Sequence, residues 1–380
     1  MAIIDKRLQE KIGEILLSPF YRISKLSYRP KTILSNTRLD ENSFNSIEIN
    51  NLRRKNKVQS SDNSKNISPI IYNINDGVVI TDNTDSDCFI TQKGELISEI
   101  TFSYSKGKEV SSSQNNIFKN YYKIKPTTLI KGGVFSLLSG GGANTNYYHW
   151  LFDSLPRLKI LSESGYKNNV NKYLTPNLKQ NYKLATLNAL NIDSGQIIDS
   201  IEYSNIKANN IIATTHPNHP SWAAVPQWIC QFLRDSFLTS NNNIKVNKHI
   251  YISRKNAAIR RIINEDLLFA ELKKLKFEMI FLENLTFQEQ VDLFSSSKII
   301  VSPHGAGLAN LVFASPNTQI IEIFPPNSDS YIYRNISENQ NLNYTKYNGY
   351  IDNKLNKDLD LHSDFLVDIS MVRSLININN

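Results

Sequence analysis

The chain has 380 residues, 40% hydrophobic and 21% charged, which excludes a disordered polymer and allows about two domains of ordinary size. Lys and Arg outnumber Asp and Glu by 43 to 35, a net charge of +8, so anionic partners are expected: nucleotide phosphates, an acidic glycan or a membrane surface. The basic residues are scattered, with no zinc-finger spacing and no aromatic-basic block, and nucleic acid is not expected as a partner.

Residues 3–17 carry Ile4, Leu8, Ile12 and Ile15 at helical spacing, and Arg22, Lys25, Arg29, Lys31 and Arg38 follow. A basic amphipathic element of this kind either packs on the body or touches a membrane surface through residues 1–38. Residues 36–67 are rich in Asn and Ser and read as a linker, so 1–67 form an N-terminal helix and linker. Residues 68–135 hold short strand-like runs at Ile70–Tyr72, Val78–Ile80, Ile97–Phe102 and Leu129–Ser136, separated by turn signals. Ser139-Gly140-Gly141-Gly142 reads as a hinge before a helix, and strands are predicted near 172–174, 196–198 and 206–213.

From residue 249 strand and helix patterns alternate: strands at 249–253, 277–282, 299–301 and 319–324, helices at 265–276, 286–297 and 308–315. Thr286-x-x-Glu289 is a capping box. This alternation specifies an open parallel α/β sheet, whose ligands bind at the carboxyl ends of the strands. The expected domains are 68–245, 246–345, and a tail 346–380 packing back on the first domain.

Four constellations carry candidate chemistry. Ser302-Pro303-His304-Gly305-Ala306-Gly307 lies where a buried strand meets a helix, so two glycines and a helix N-terminus can bring N–H groups to a phosphate, with His304 beside them. Arg254 ends the first strand of that domain, and Arg260-Arg261 follow; guanidinium forks suit phosphate oxygens. Of the three, Arg254 and Arg261 are read as ligands and Arg260 as structural or solvent-facing. Glu322 sits inside an apolar strand, where a carboxylate needs either a ribose diol or a buried ion-pair partner. His149 and Asp153 are four apart on a predicted helix and share a face, and Pro156 kinks that helix or lies in its first turn. Either His149 or Asp153 can serve as the base for an acceptor hydroxyl; Asp153 is preferred because it is ionised without help.

His216-Pro217-Asn218-His219-Pro220 is not read as a metal site, because its prolines prevent a helical pair and no third ligand is near. The two cysteines, Cys88 and Cys230, are far apart and form neither a disulfide framework nor a CxxC pair. Charges interrupt any leader at the start, and no apolar run is long enough to span a bilayer, so a cytoplasmic protein is expected.

The segment Asn146–Leu158 resembles the first signature of glycosyltransferase family 61. Ile252-Ser253-Arg254, Arg260–Glu265 and Leu285–Gln290 resemble its middle block, and His304–Phe313 through Ile321-Glu322-Ile323 its last. The resemblance covers about 145–325. It implies an inverting transferase of GT-B type, two Rossmann-like domains facing across a cleft, with the donor nucleotide on the C-terminal one and no metal or cofactor. It implies that Arg254 and Arg261 hold a donor diphosphate, that His304, Gly305, Ala306, Gly307 and Asn310 surround it, and that Glu322 takes the ribose. The expected substrates are a UDP-linked sugar and a polysaccharide or lipid-linked glycan acceptor, as in bacterial capsule synthesis, with peripheral contact to the inner face of the plasma membrane. The alternative is a non-catalytic nucleotide- or glycan-binding component of such an assembly.

Overall fold

The computed structural model describes residues 32–34, 44–49, 68–105, 108–120, 124–140, 144–218, 224–238, 245–351 and 363–378. The predicted N-terminal helix, the membrane contact through 1–38 and most of the linker lie outside the described residues, as do Gly141, Gly142, His219 and His362.

Two sheets flanked by helices make a mixed α/β architecture. The first has twelve strands: β1 (Thr32–Leu34), β2 (Phe44–Glu48), β3 (Ile70–Asn75), β4 (Val78–Thr81), β5 (Ser86–Ile90), β6 (Glu95–Ile97), β7 (Phe102–Ser105), β8 (Lys108–Glu109), β9 (Thr128–Ser136), β10 (Val170–Thr175), β11 (Ile197–Asp199) and β12 (Asn205–Thr214). The second has five: β13 (Lys248–Ile252), β14 (Phe277–Ile280), β15 (Ser297–Pro303), β16 (Gln319–Phe324) and β17 (Asn343–Asn348). The helices are α1 (Asn116–Lys119), α2 (Tyr147–His149), α3 (Pro156–Ser164), α4 (Asn181–Ala189), α5 (Gln227–Phe237), α6 (Glu265–Lys274), α7 (Phe287–Ser295), α8 (Ile332–Asn339) and α9 (Ile369–Ser374).

Strands β12, β9, β10 and β11 are parallel in that order, with helical segments carrying the chain from β9 to β10 and from β10 to β11. On the other side of β12 the chain forms tight antiparallel pairs with β3 and β4 and runs on into a meander. The second sheet is wholly parallel, in the order β14-β13-β15-β16-β17. Ile299, Ile300, Val301, Ile320 and Ile321 are fully buried, as a sheet covered on both faces requires. The crossover from β13 leads to β14 on one side, and the next one carries the chain from β14 back to β15 on the other side of β13. The crevice outside the carboxyl ends of β13 and β15 is therefore the switch point where such sheets bind ligands.

Several local expectations change. Residues 97–102 are not one strand: a 3₁₀ turn, Ser98–Ile100, separates β6 from β7. The segment predicted as a helix at 308–315 is a 3₁₀ helix, Ala306–Phe313. Its tighter, less regular hydrogen bonding weakens the dipole argument at its N-terminus. The capping box at Thr286 forms as expected, with the Thr286 N–H donating to Glu289 Oε2 at 2.7 Å.

The described part of the tail, 363–378, packs on the second sheet rather than on the first domain. The Phe365 N–H donates to Arg261 O at 3.0 Å, the Phe365 carbonyl accepts from the Ile263 N–H at 2.8 Å, and α9 lies on α6. The reason is apolar: Phe365, Val367 and Val372 complete the cluster around Leu268 and Leu272.

The two sheets share a core. Phe135, Trp150, Leu151, Phe152 and Leu155 join one cluster with Ile250, Ile300, Leu308, Val312 and Phe313. Each such fully buried side chain contributes about 1.5–3 kcal/mol. Helix α5 closes the junction, where Arg234 Nη1 donates to the carbonyls of Val312 and Ala314 at 2.7 and 2.9 Å. No helix among the described residues is long and apolar enough to cross a membrane.

Candidate active site

The chain enters the site through a capped helix. Asn146 Oδ1 accepts the Tyr148 N–H at 2.9 Å and starts α2. The buried Lys183 holds this entry by donating to the carbonyls of Asn144, Pro176 and Asn177 at 3.0, 2.7 and 2.7 Å. Burial pulls its ammonium group down to about 7. Pro156 occupies the first position of α3 and has no N–H to continue the helical ladder. The chain absorbs this as a π-helical turn, Trp150–Ser154, in which Leu155 N–H reaches Trp150 O at 3.0 Å.

This turn seats Asp153 at the bottom of the site, 1% exposed. Its Oδ2 accepts from His149 Nδ1 at 2.5 Å and lies 3.6 Å from His216 Nε2, while its buried Oδ1 has no hydrogen-bond partner among the described residues. Burial alone raises the Asp153 pKa, but His216 and His149 outweigh it and hold the carboxyl well below the usual range. Burial lowers the His149 pKa, and the Asp153 charge and hydrogen bond overcome that to raise it. His216 is the opposite case, since burial outweighs the Asp153 charge and lowers its pKa. Asp153 was the preferred base, yet it is enclosed. The His149 side chain is 35% exposed, so His149 Nε2 is the atom that can meet a substrate. With Nδ1–H donated to an ionised carboxylate, that Nε2 is an acceptor in the neutral ring.

Arg157 backs this dyad from inside. Its Nε donates to Asp153 O at 2.9 Å and its Nη1 to Thr214 O and Oγ1 at 2.8 and 3.0 Å. Burial lowers its pKa to about 10, with Asp87 and Asp153 opposing the shift.

A second histidine–carboxylate pair sits at the switch point of the second sheet. His304 Nδ1 meets Glu322 Oε1 at 2.5 Å, and Tyr344 Oη donates to Glu322 Oε2 at 2.7 Å. The His304 ring stacks on Phe324, with centroids 4.7 Å apart. Glu322 is fully buried and both its oxygens are committed within the protein, so it orients His304 and is closed to a ribose.

The arginines differ from expectation as well. Arg254 is half-buried and lies against the turn, where a Cβ on Gly305 would come within 2.3 Å of Arg254 Nη1. Gly305 therefore leaves room for the guanidinium in its present place; its backbone is extended, not left-handed. A Cβ on Gly307 would come within 2.5 Å of Leu282 Cδ1, so that glycine serves packing. Arg261 points outward and pairs with Asp364, Nε to Oδ2 at 2.8 Å. Arg260, at φ +59°, turns inward to the vicinity of Tyr333 and Glu322. Among the described residues the buried Nε atoms of Arg254 and Arg260 have no hydrogen-bond partner and no carboxylate pairs with either guanidinium, while Arg254 Nη2 donates to Ile259 O at 3.0 Å. Burial, and then the charge of Arg260, lowers the Arg254 pKa. Two like charges held half-buried at a strand-end crevice favour an anion between them.

Asn310, expected among the donor ligands, is fully buried and acts as a joint. It accepts from Tyr147 Oη at 2.7 Å and donates to Gln290 Oε1 at 2.8 Å and Gly307 O at 3.1 Å. Ala306 is half-buried next to it. Tyr333, on α8, was not singled out in the sequence. It stands 5.4 Å from the His304 ring and 6.1 Å from Tyr148, which itself lies 5.4 Å from His149. This aromatic row connects the two histidine pairs, and its central ring, Tyr333, lies in the field of Arg254 and Arg260. The doublet Arg260-Arg261 was the only signal for Arg260, and a sequence does not say which of two neighbours turns inward.

Residues 147–321 match the model of the family described as Glycosyltransferase 61, a span that runs from α2 into β16, includes His149, Asp153 and His304, and ends one residue before Glu322. That match supports family 61 and a sugar-transferring activity with a nucleotide-sugar donor and a glycan acceptor. No curated protein matches the chain.

Proposed function

We propose that the protein is an inverting, metal-independent glycosyltransferase of GT-B type, with 68–245 as the acceptor-side half and 246–345 as the donor half. The observation that carries this reading is the pairing of a half-buried, carboxylate-backed His149 with a cationic strand-end crevice at Arg254, Arg260 and His304. In the reaction, an acceptor hydroxyl gives its proton to His149 Nε2 as its oxygen attacks the anomeric carbon. The bond from that carbon to the donor phosphate oxygen breaks, and its electron pair leaves with the nucleoside diphosphate. Arg254, Arg260 and the His304 Nε2 side receive the developing charge. Asp153 stabilises the His149 imidazolium that forms, a base contribution worth about 10²–10⁴ in rate. Two guanidiniums do the neutralising work that a divalent ion performs elsewhere, which supports metal independence.

The finer assignments belong to the same proposal. They are a UDP-linked donor, a polysaccharide or lipid-linked acceptor in capsule or exopolysaccharide synthesis, and a cytoplasmic site at the membrane face. The test is donor turnover with and without a chelator, alongside nucleoside diphosphate titration by calorimetry. Turnover that needs Mg²⁺ or Mn²⁺, or a chain that binds no nucleoside diphosphate, would overturn the reading.

A further inference from the structure

The run His216-Pro217-Asn218 leaves β12 at its carboxyl end. The Thr215 N–H donates to Ile70 O at 2.8 Å, and Thr215 Oγ1 accepts from the Ile70 N–H at 3.0 Å, so the chain is tied to β3 just before His216. Pro217 restricts the backbone next, and the buried Asn218 side chain donates to Tyr148 Oη at 3.5 Å. The Asn218 main-chain N–H turns back to His216 Nδ1 at 3.2 Å. A backbone amide can only donate, so Nδ1 is an acceptor and the neutral ring carries its proton on Nε2. That Nε2 faces Asp153 Oδ2 at 3.6 Å, and the same oxygen takes His149 Nδ1 at 2.5 Å. Arg157 Nε goes to the Asp153 main-chain carbonyl instead, so the carboxylate lies between two imidazoles. Their exposure separates their tasks. The His149 side chain is 35% exposed and can reach substrate, whereas that of His216 is 9% exposed.

We propose that His216 is a positioning residue of the transfer, whose Nε2–H shares the Asp153 charge and so frees His149 to act as a base near neutral pH; this rests on the glycosyltransferase reading above. A carboxylate facing one imidazole alone makes the imidazolium hard to deprotonate. A second N–H dipole on the same oxygen draws off part of that charge while leaving the carboxylate ionised. Burial lowers the pKa of His216 itself, which favours a dipole over a second cation at this place. The other titratable groups facing the cluster are Tyr148 on α2, Arg157 on α3 and, across Arg157, Asp87 on β5; Glu99 and Glu109 line the cavity that His216 adjoins. All of them are retained in the variants below, so a change in the titration of His149 reports on His216.

The test is a pH titration of the full chain carrying isotope-labelled histidine, read by long-range proton–nitrogen NMR, with donor turnover against pH and UDP titration alongside. In the wild-type chain His216 should show the Nε2–H tautomer. His216→Leu should raise the His149 pKa by about half a pH unit or more and carry the acid limb of turnover to higher pH, the direction opposite to that of Asp153→Asn. UDP affinity should stay unchanged, since His216 lies outside the donor crevice. His216→Gln can place an amide N–H where Nε2–H stood, and it should restore the wild-type limb. A wild-type His216 protonated on Nδ1, a His149 titration unmoved in folded His216→Leu, or one moved equally by His216→Gln overturns the proposal. If His216→Leu fails to fold, the wild-type tautomer and the limb of His216→Gln decide it. A wild-type chain that neither binds UDP nor transfers sugar is instead the failure of the glycosyltransferase reading, because the titration of His149 needs no substrate.

Discussion

Asp153→Asn is the most discriminating change in the dyad. It keeps the shape of a side chain that is 1% exposed while removing the charge that His149 meets at 2.5 Å. The structure makes Asp153 a positioning group, so turnover should fall by about 10² or more through loss of imidazolium stabilisation. The pH profile carries the sign. In the wild-type chain Asp153 raises the His149 pKa above its ordinary value, so the acid limb of turnover lies at correspondingly high pH. Without the carboxylate, burial is left to act alone and the limb should move to lower pH. Stability follows the Asp153 shift in the other direction. The carboxyl is held below its usual range, so its stabilisation is present above about pH 4 and lost as the pH falls further. The assay is donor turnover from pH 5 to pH 9, with urea unfolding of both chains as the fold control. Near-normal turnover in folded Asp153→Asn, or a large loss with an unmoved acid limb, would refute the positioning role. In the second case, retained activity of His149→Ala would return the base to Asp153.

Arg260→Ala and Arg254→Ala should each weaken nucleoside diphosphate binding by a charge-assisted contact of roughly 1.5–3 kcal/mol, read by calorimetry, whereas Arg261→Ala should leave it nearly unchanged because that residue is committed to Asp364. Gly305→Ala should displace the Arg254 guanidinium, which a Cβ would approach to 2.3 Å, and weaken the same binding about tenfold at near-wild-type thermal stability. Burial raises the Asp87 pKa to about 6, against hydrogen bonds from Gly140 and Phe102 and the charge of Arg157. The folded state therefore keeps that proton longer, and wild-type stability should decline as the pH rises from about 4 through about 6, by on the order of 3 kcal/mol. Urea titrations across this range should show the decline vanish in Asp87→Asn; a slope that persists would place its cause elsewhere.

Much of the second sheet was legible without a fold. Runs such as Ile299-Ile300-Val301 and the Thr286–Glu289 capping box are local signals, and burial on both faces of a parallel sheet leaves them little freedom. The pairing of His149 with Asp153 was equally local, since four residues of near-helical chain bring the two side chains together. Which member faces the substrate was not local. It depends on His216, more than sixty residues away, and on Arg157 closing the floor beneath Asp153. Glu322 reads the same in sequence whether it meets a ribose or a histidine; only the register of β15 against β16 puts Ser302 beside it and His304 over it. The choice between Arg260 and Arg261 was settled by a left-handed backbone at Arg260 and by Asp364 capturing Arg261 from the tail. Spacing along the chain determined the elements and the residue types of the site. The direction of each side chain was decided by contacts between segments that meet only when the two sheets close on a common core.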